Sequence, residues 1–155
     1  MKNNLNIIVN SIIKEGKLFF INDMNIELID IVSVENVTLS NHIGLIELSG
    51  KQKVVVAVSI DDNLFSTLFD KFFSVDLDND EKIELENEFA NEILNTIVGL
   101  SMRHFSSNSI NLVLQPPLDI KKEELSKMLH GNRQKNIRIS TVSGNLYFII
   151  FLSSS

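Results

Sequence analysis

The chain contains no cysteine. Disulfides, a thiol nucleophile and thiolate metal sites are therefore excluded. The same absence fits a reducing compartment, and a cytoplasmic location is the expectation. Positive charge is also scarce. Lys and Arg number 14 against 20 Asp and Glu, for a net charge of −6. That balance argues against general nucleic-acid binding, which needs a basic footprint, and suits a small-molecule or protein partner better. Long apolar runs are missing as well. The longest, such as residues 146–152, fall far short of the ~20 residues that a bilayer-spanning helix needs. No membrane insertion is expected, and one lysine followed by an interrupted apolar pattern does not read as a signal peptide. Proline occurs only at 116 and 117.

What remains is an ordinary globular composition, 44% hydrophobic and 22% charged over 155 residues, enough for one domain with a substantial core. Leu5, Ile8, Val9, Ile12, Ile13, Gly16, Phe19 and Phe20 recur at helical spacing and predict an amphipathic helix over residues 4–20. Residues 25–38 are rich in Ile and Val and contain a predicted strand. Strands over 42–48 and 53–60 flank a Ser49-Gly50-Lys51-Gln52 turn. Asp61 and Asp62 are positioned to cap a short helix over 63–72, and residues 74–80 form an acidic connection. A long helix follows over 81–105. After the polar turn 106–109, a strand over 110–114 ends at the two prolines. A short helix over 121–129 has Gly131 beyond it, and 136–142 with 145–152 form a second hairpin around Ser143-Gly144. The tail from Ser153 is expected to fray. Each half thus carries a long helix and later a hairpin with Ser-Gly at its turn, a pattern that hints at an internal duplication.

The long helix is the most informative element. Glu-x-x-Asn occurs three times in it, as Glu84/Asn87, Glu88/Asn91 and Glu92/Asn95. At ~100° per residue, Glu88, Glu92, Asn95 and Gly99 fall within a strip roughly 60° wide, with Asn91 at its outer edge. Leu85, Phe89, Ala90, Ile93, Leu94, Ile97, Val98 and Leu100 fill most of the other directions. The expectation is a nearly buried helix with one polar window, in which a glycine leaves room for another surface. The other polar groups make weaker cases. His42, His104 and His130 are dispersed and read as structural or exposed. Ser49-Gly50-Lys51 lacks the phosphate-loop pattern, and no convincing metal-ligand cluster occurs.

Glu92-Ile93-Leu94-Asn95 is followed by Thr96-Ile97-Val98-Gly99 and, after a further gap, by Pro116-Pro117. This frame, with the glycine-bearing strand 42–48 and the order of elements, resembles the CheX branch of the CheC/CheX/FliY family of chemotaxis phosphatases. The resemblance covers about residues 5–152. It implies a single CheX-like domain over 1–155 with a two-layer α/β (α+β) fold, a largely antiparallel sheet and long helices packed on one face. It implies a phosphatase that dephosphorylates the phospho-aspartate of a CheY-like response regulator. By the resemblance, Asn95 orients the attacking water and Glu92 pairs with the regulator's lysine. Glu88 and Gly99 meet the partner, and Mg²⁺ belongs to the regulator, so the chain needs no cofactor of its own. Two departures stand out: Glu88 replaces the family's Asp or Ser, and Leu100 replaces a common Asn. They keep open the alternative of a non-catalytic CheX-like binding or dimerisation module. The resemblance also implies a homodimer joined at sheet edges, with the hairpin 136–152 as the candidate edge. The competing expectation is that its apolar run is a central strand of a monomer.

Overall fold

The computed structural model describes residues 2–73 and 76–153. Ser74 and Val75 of the acidic connection, and Ser154 and Ser155 of the tail, lie outside the described residues, as does the expectation of fraying for those two serines.

The helical stripe near the N-terminus produces α1, Lys2–Leu18, which buries Ile8, Val9 and Ile12. The helix does not stop there. It widens into a π-helical turn, Phe19–Asp23, that buries both phenylalanines. Asn25, with φ 52°, then turns the chain out towards the sheet, a backbone region in which asparagine is several-fold enriched among non-glycine residues.

The strands are β1 Leu28–Val34, β2 His42–Ser49, β3 Val54–Ile60, β4 Val113–Leu114, β5 Lys135–Thr141 and β6 Gly144–Leu152. They form one sheet in the order β1-β5-β6-β3-β2-β4, antiparallel throughout. Helices α2, Asp62–Phe72, and α3, Asn79–Ser107, join α1 on one face. The fold is therefore the expected antiparallel sheet with its long helices on one side. The short helix α4, Lys122–His130, contributes Leu125 to a smaller cluster on the opposite face, with Leu45, Val55, Ala57, Ile149 and Phe151. That second cover explains why all seven residues of β3 are buried. Val54, Val56, Val58 and Ile60 join the helical core, while Val55 and Ala57 point to α4. A strand covered on both faces reads as continuous apolar sequence.

Three expectations need correction. The final hairpin is not a sheet edge: β6 lies between β5 and β3, and β5 is itself covered by β1. The run Leu146–Leu152 is apolar because both its faces are packed, not because it awaits a partner. The strand predicted over 110–114 loses residues 110–112 and shrinks to the two residues of β4, because Ile110 N–H is spent on Phe105 O at 2.8 Å in the turn that closes α3. The prolines set its other end. Pro116 and Pro117 carry no N–H, so the regular ladder beside β2 cannot continue. The chain still follows that edge, with Gln115 N–H donating to Glu47 O at 3.0 Å and Leu118 N–H donating to Leu45 O at 2.9 Å. Finally, Asp61 is the N-cap residue of α2, but its carboxylate accepts from Asn145 N–H at 2.9 Å instead of capping the helix.

Candidate functional site

The site is carried by α3. Asp78 opens this helix by accepting from Glu81 N–H at 2.8 Å. That hydrogen bond holds the Asp78 carboxyl below its ordinary value. The first turns lie largely in solvent, with Ile83 59% exposed and Glu81, Lys82, Glu84, Asn87 and Glu88 also exposed. Burial begins at Phe89. Its ring packs edge-on or tilted against Phe65, Phe69, Phe72 and Phe73 at centroid distances of 5.4 to 5.5 Å. Ile93, Leu94, Ile97, Val98 and Phe105 continue the buried stripe along α1, β2 and β3. The nearly buried helix inferred from periodicity thus describes only residues 89–105. Leu100, grouped with the buried residues on periodicity, is 43% exposed.

The helix is locked against α1 at its far end. Ser101 Oγ donates to Ile97 O at 2.8 Å and approaches Ser11 O at 3.4 Å. Glu15 is almost fully buried and receives a hydrogen bond from Arg103 at 2.9 Å, with His104 3.7 Å from its other oxygen. The segment from Glu92 to Gly99 is therefore backed by the core, whereas Glu88 lies at its solvent-exposed start.

On the strip, Glu88 and Glu92 are exposed and Asn95 and Gly99 half-buried. Glu92 and Asn95 are three positions apart, which puts their Cβ atoms about 5–6 Å from each other on one face. Among the described residues, no hydrogen bond or ion pair engages the side chain of Glu88, Glu92 or Asn95; the Thr96 hydroxyl donates to the backbone oxygen of Glu92, not to its carboxylate. The two side chains are thus presented on a rigid frame and left uncommitted. Gly99 adds space: a methyl group there would have as its nearest neighbour Leu114 Cδ2 at 3.9 Å, an ordinary contact. Nothing among the described residues requires glycine at this position.

Asn91 behaves differently. Its Oδ1 accepts from Leu45 N–H at 3.0 Å and its Nδ2 donates to Leu118 O at 3.4 Å. A methyl group on Gly44 would fall 2.6 Å from Asn91 Oδ1 and 3.2 Å from the Ala90 carbonyl. Gly44 is what allows α3 to lie this close to β2. The Glu88/Asn91 frame is thereby divided, its asparagine held inside the fold. Sequence reasoning missed this contact, although a lone glycine within a strand pattern is a signal of close backbone approach.

The other sequence candidates take structural positions. His42 stacks on Phe65 with centroids 3.8 Å apart and lies 3.0 Å from Asp62. His130 Nδ1 is 2.8 Å from Ser126 O within α4. No group of three or more His, Asp or Glu among the described residues is placed to hold a metal ion. No helix among them is long and apolar enough to cross a membrane.

No protein-family model matches the chain. No curated protein matches it either. Solved structures do. A CheC-like superfamily protein from Shewanella sp. PV-4 superposes with a TM-score of 0.71 at 14% identity, covering 96% of this chain and 98% of the other. The chemotaxis protein CheX from Vibrio vulnificus gives 0.71 at 14% identity, covering 94% and 96%. The fold is that of the CheC/CheX-like chemotaxis proteins. A further CheC/CheX-fold match, at 0.67 and 16% identity over 96% and 97% of the chains, comes from the CheX–CheY–BeF3–Mg²⁺ complex of Borrelia burgdorferi. These structures are matched over 94–96% of this chain.

Proposed function

We propose that this chain is a phosphatase acting on the phospho-aspartate of a CheY-like response regulator, in chemotaxis or a related two-component pathway. The observation that carries the reading is the pair Glu92 and Asn95, side by side on a core-backed helix, with side chains that make no hydrogen bond or ion pair among the described residues. Support comes from the shared fold, one of whose members was solved together with CheY, BeF3 and Mg²⁺.

Hydrolysis of an acyl phosphate needs a water held in line with phosphorus and charge stabilisation around the transferring group. The regulator supplies its own Mg²⁺ and lysine. The phosphatase has to supply position. The Asn95 carboxamide offers donors and an acceptor without being able to act as a base, so its role is to orient the attacking water. The Glu92 carboxylate pairs with the regulator's lysine and sets the docking register. Glu88 extends the acidic edge of the same surface, and Gly99 lets the regulator approach the helix backbone. No metal on this chain enters the scheme.

The test is the decay of a phosphorylated CheY-like regulator measured with and without the protein. Accelerated decay supports the reading. Unchanged decay, together with binding to a beryllofluoride-treated regulator, instead supports a non-catalytic binding module. Exposed Leu100 beside the strip is the observation that favours this second reading, because it gives the surface apolar area where hydrolysis needs none.

A further inference from the structure

The strip does not stand alone on the surface. Segment 115–118 runs beside it and is fastened sparingly, because Pro116 and Pro117 have no N–H to donate. Its attachments are Gln115 N–H to Glu47 O at 3.0 Å, Leu118 N–H to Leu45 O at 2.9 Å, and Asn91 Nδ2 to Leu118 O at 3.4 Å. The last of these comes from α3 itself, from the residue preceding Glu92. Asn91 Oδ1 simultaneously holds Leu45 N–H. One carboxamide therefore ties together the helix that carries the strip, the strand β2 and the segment after the prolines. Gly44 gives it the room to do so.

The outcome is a composite surface. Pro117 and Glu88 line the same cleft of about 320 Å³, together with Asn91. Leu118, whose carbonyl accepts from Asn91, has an apolar side chain that is 43% exposed. We infer that Asn91 is a positioning residue that holds segment 115–118 in register with Glu92 and Asn95, so that a regulator is met by two elements rather than by the helix alone. This inference rests on the regulator-phosphatase reading for its docking half. The clamp itself is a property of this chain and can be tested without a partner.

The variant to use is Asn91→Asp. It keeps an acceptor for Leu45 N–H, removes the donor to Leu118 O and sets a carboxylate against that carbonyl. Amide exchange of Leu118 is expected to quicken on the order of 10-fold, while amides over 97–105 of α3 keep their wild-type rates. With phosphorylated regulator, KM is expected to rise about 10-fold with kcat within about twofold, the pattern of weakened docking with intact chemistry. Leu118→Ala serves as the second variant. It leaves the backbone clamp in place, so KM should rise while exchange is unaltered. Unchanged exchange at Leu118 in Asn91→Asp overturns the clamp, and so does equally faster exchange along all of α3, which marks general destabilisation. A fall in kcat at constant KM overturns the docking role. Wild-type protein without effect on the regulator overturns the functional reading and the docking half with it, while the exchange measurement still decides the clamp.

Discussion

Two glycines next to one helix show how differently the same residue type can be used. Gly44 cannot accept a methyl group without displacing Asn91 or the backbone at Ala90. Gly99 can, since its nearest new contact would lie at 3.9 Å. Glycine within a helix costs roughly 0.8–1 kcal/mol relative to alanine, and here packing does not demand it. Gly99→Ala should therefore raise stability by about 0.5–1 kcal/mol in denaturant unfolding and weaken association with the regulator. A variant that is stabilised and binds as well as wild type would remove Gly99 from the docking surface. The proposed catalytic pair separates in the same manner. Asn95→Ala should leave the unfolding midpoint nearly unchanged, because the side chain makes no internal hydrogen bond. It should lower stimulated dephosphorylation on the order of 10²-fold, as when one preorganised polar group is lost. Glu92→Lys should instead weaken binding to the beryllofluoride-treated regulator by setting like charges together. Equal affinity of wild type and Glu92→Lys would refute the lysine contact.

At the scale of elements, α3 joins two helices of different character. Residues 89–105 are held by the Phe89 cluster, by Ser101 and by Glu15 with Arg103. The exposed turns before Phe89 depend on local interactions, among which the Asp78 cap is prominent. Because the hydrogen bond from Glu81 N–H lowers the Asp78 pKa, the cap is complete above the ordinary aspartate value of 3.8 and is lost as pH falls through the lowered value. The Glu81 amide, followed by NMR during acidification, should report a midpoint below 3.8. In Asp78→Asn, which still caps, that transition should vanish while the helix start persists. A Glu81 midpoint at or above the ordinary aspartate value would show that the bond is not held in solution.

The whole molecule is organised about the centre of its sheet. Superposing Ser49-Gly50 on Ser143-Gly144 aligns Val56 with Ile150, and these two residues are direct partners across β3 and β6. Exchanging β1 with β4, β2 with β5 and β3 with β6 simply reverses the strand order. The hint of duplication in the sequence thus has a counterpart in topology, with the pseudo-twofold passing between Val56 and Ile150. The halves are unequal in sequence, since α1 carries no Glu-x-x-Asn. They are unequal at the rims as well. With β4 only two residues long, β1 is the longer exposed edge, and a dimer made by sheet extension would have to start there. Burial sets the expected tolerance. Ile150→Ala at the fully buried centre should cost about 2–5 kcal/mol. Ile29→Ala on β1, where the side chain is 65% exposed, should stay within about 0.5 kcal/mol. Similar losses at both positions in chemical denaturation would contradict this view of the core.

Much of this was legible in the residues because it depends on local periodicity and chemistry. The stripe of α1, the polar window of α3, the two Ser-Gly hairpins and the strands they join all follow from spacings within a few turns or pleats. That Glu92 and Asn95 share a face is local too, since helical geometry puts i and i+3 together. The same holds for Glu84/Asn87 and Glu88/Asn91, and the choice among the three frames rests on the family resemblance. What escaped depended on contacts distant in sequence. Whether Leu146–Leu152 lies at an edge or at the centre is decided by which strands flank it, and an apolar run reads the same in both places. Ile83 in the early turns of α3 and Leu100 are apolar, yet they are exposed because nothing among the described residues covers them. Asn91 has the same composition and spacing as Asn95. Only the approach of β2 at Gly44 and of the segment after Pro117 turns one asparagine inward as a clamp and leaves the other free.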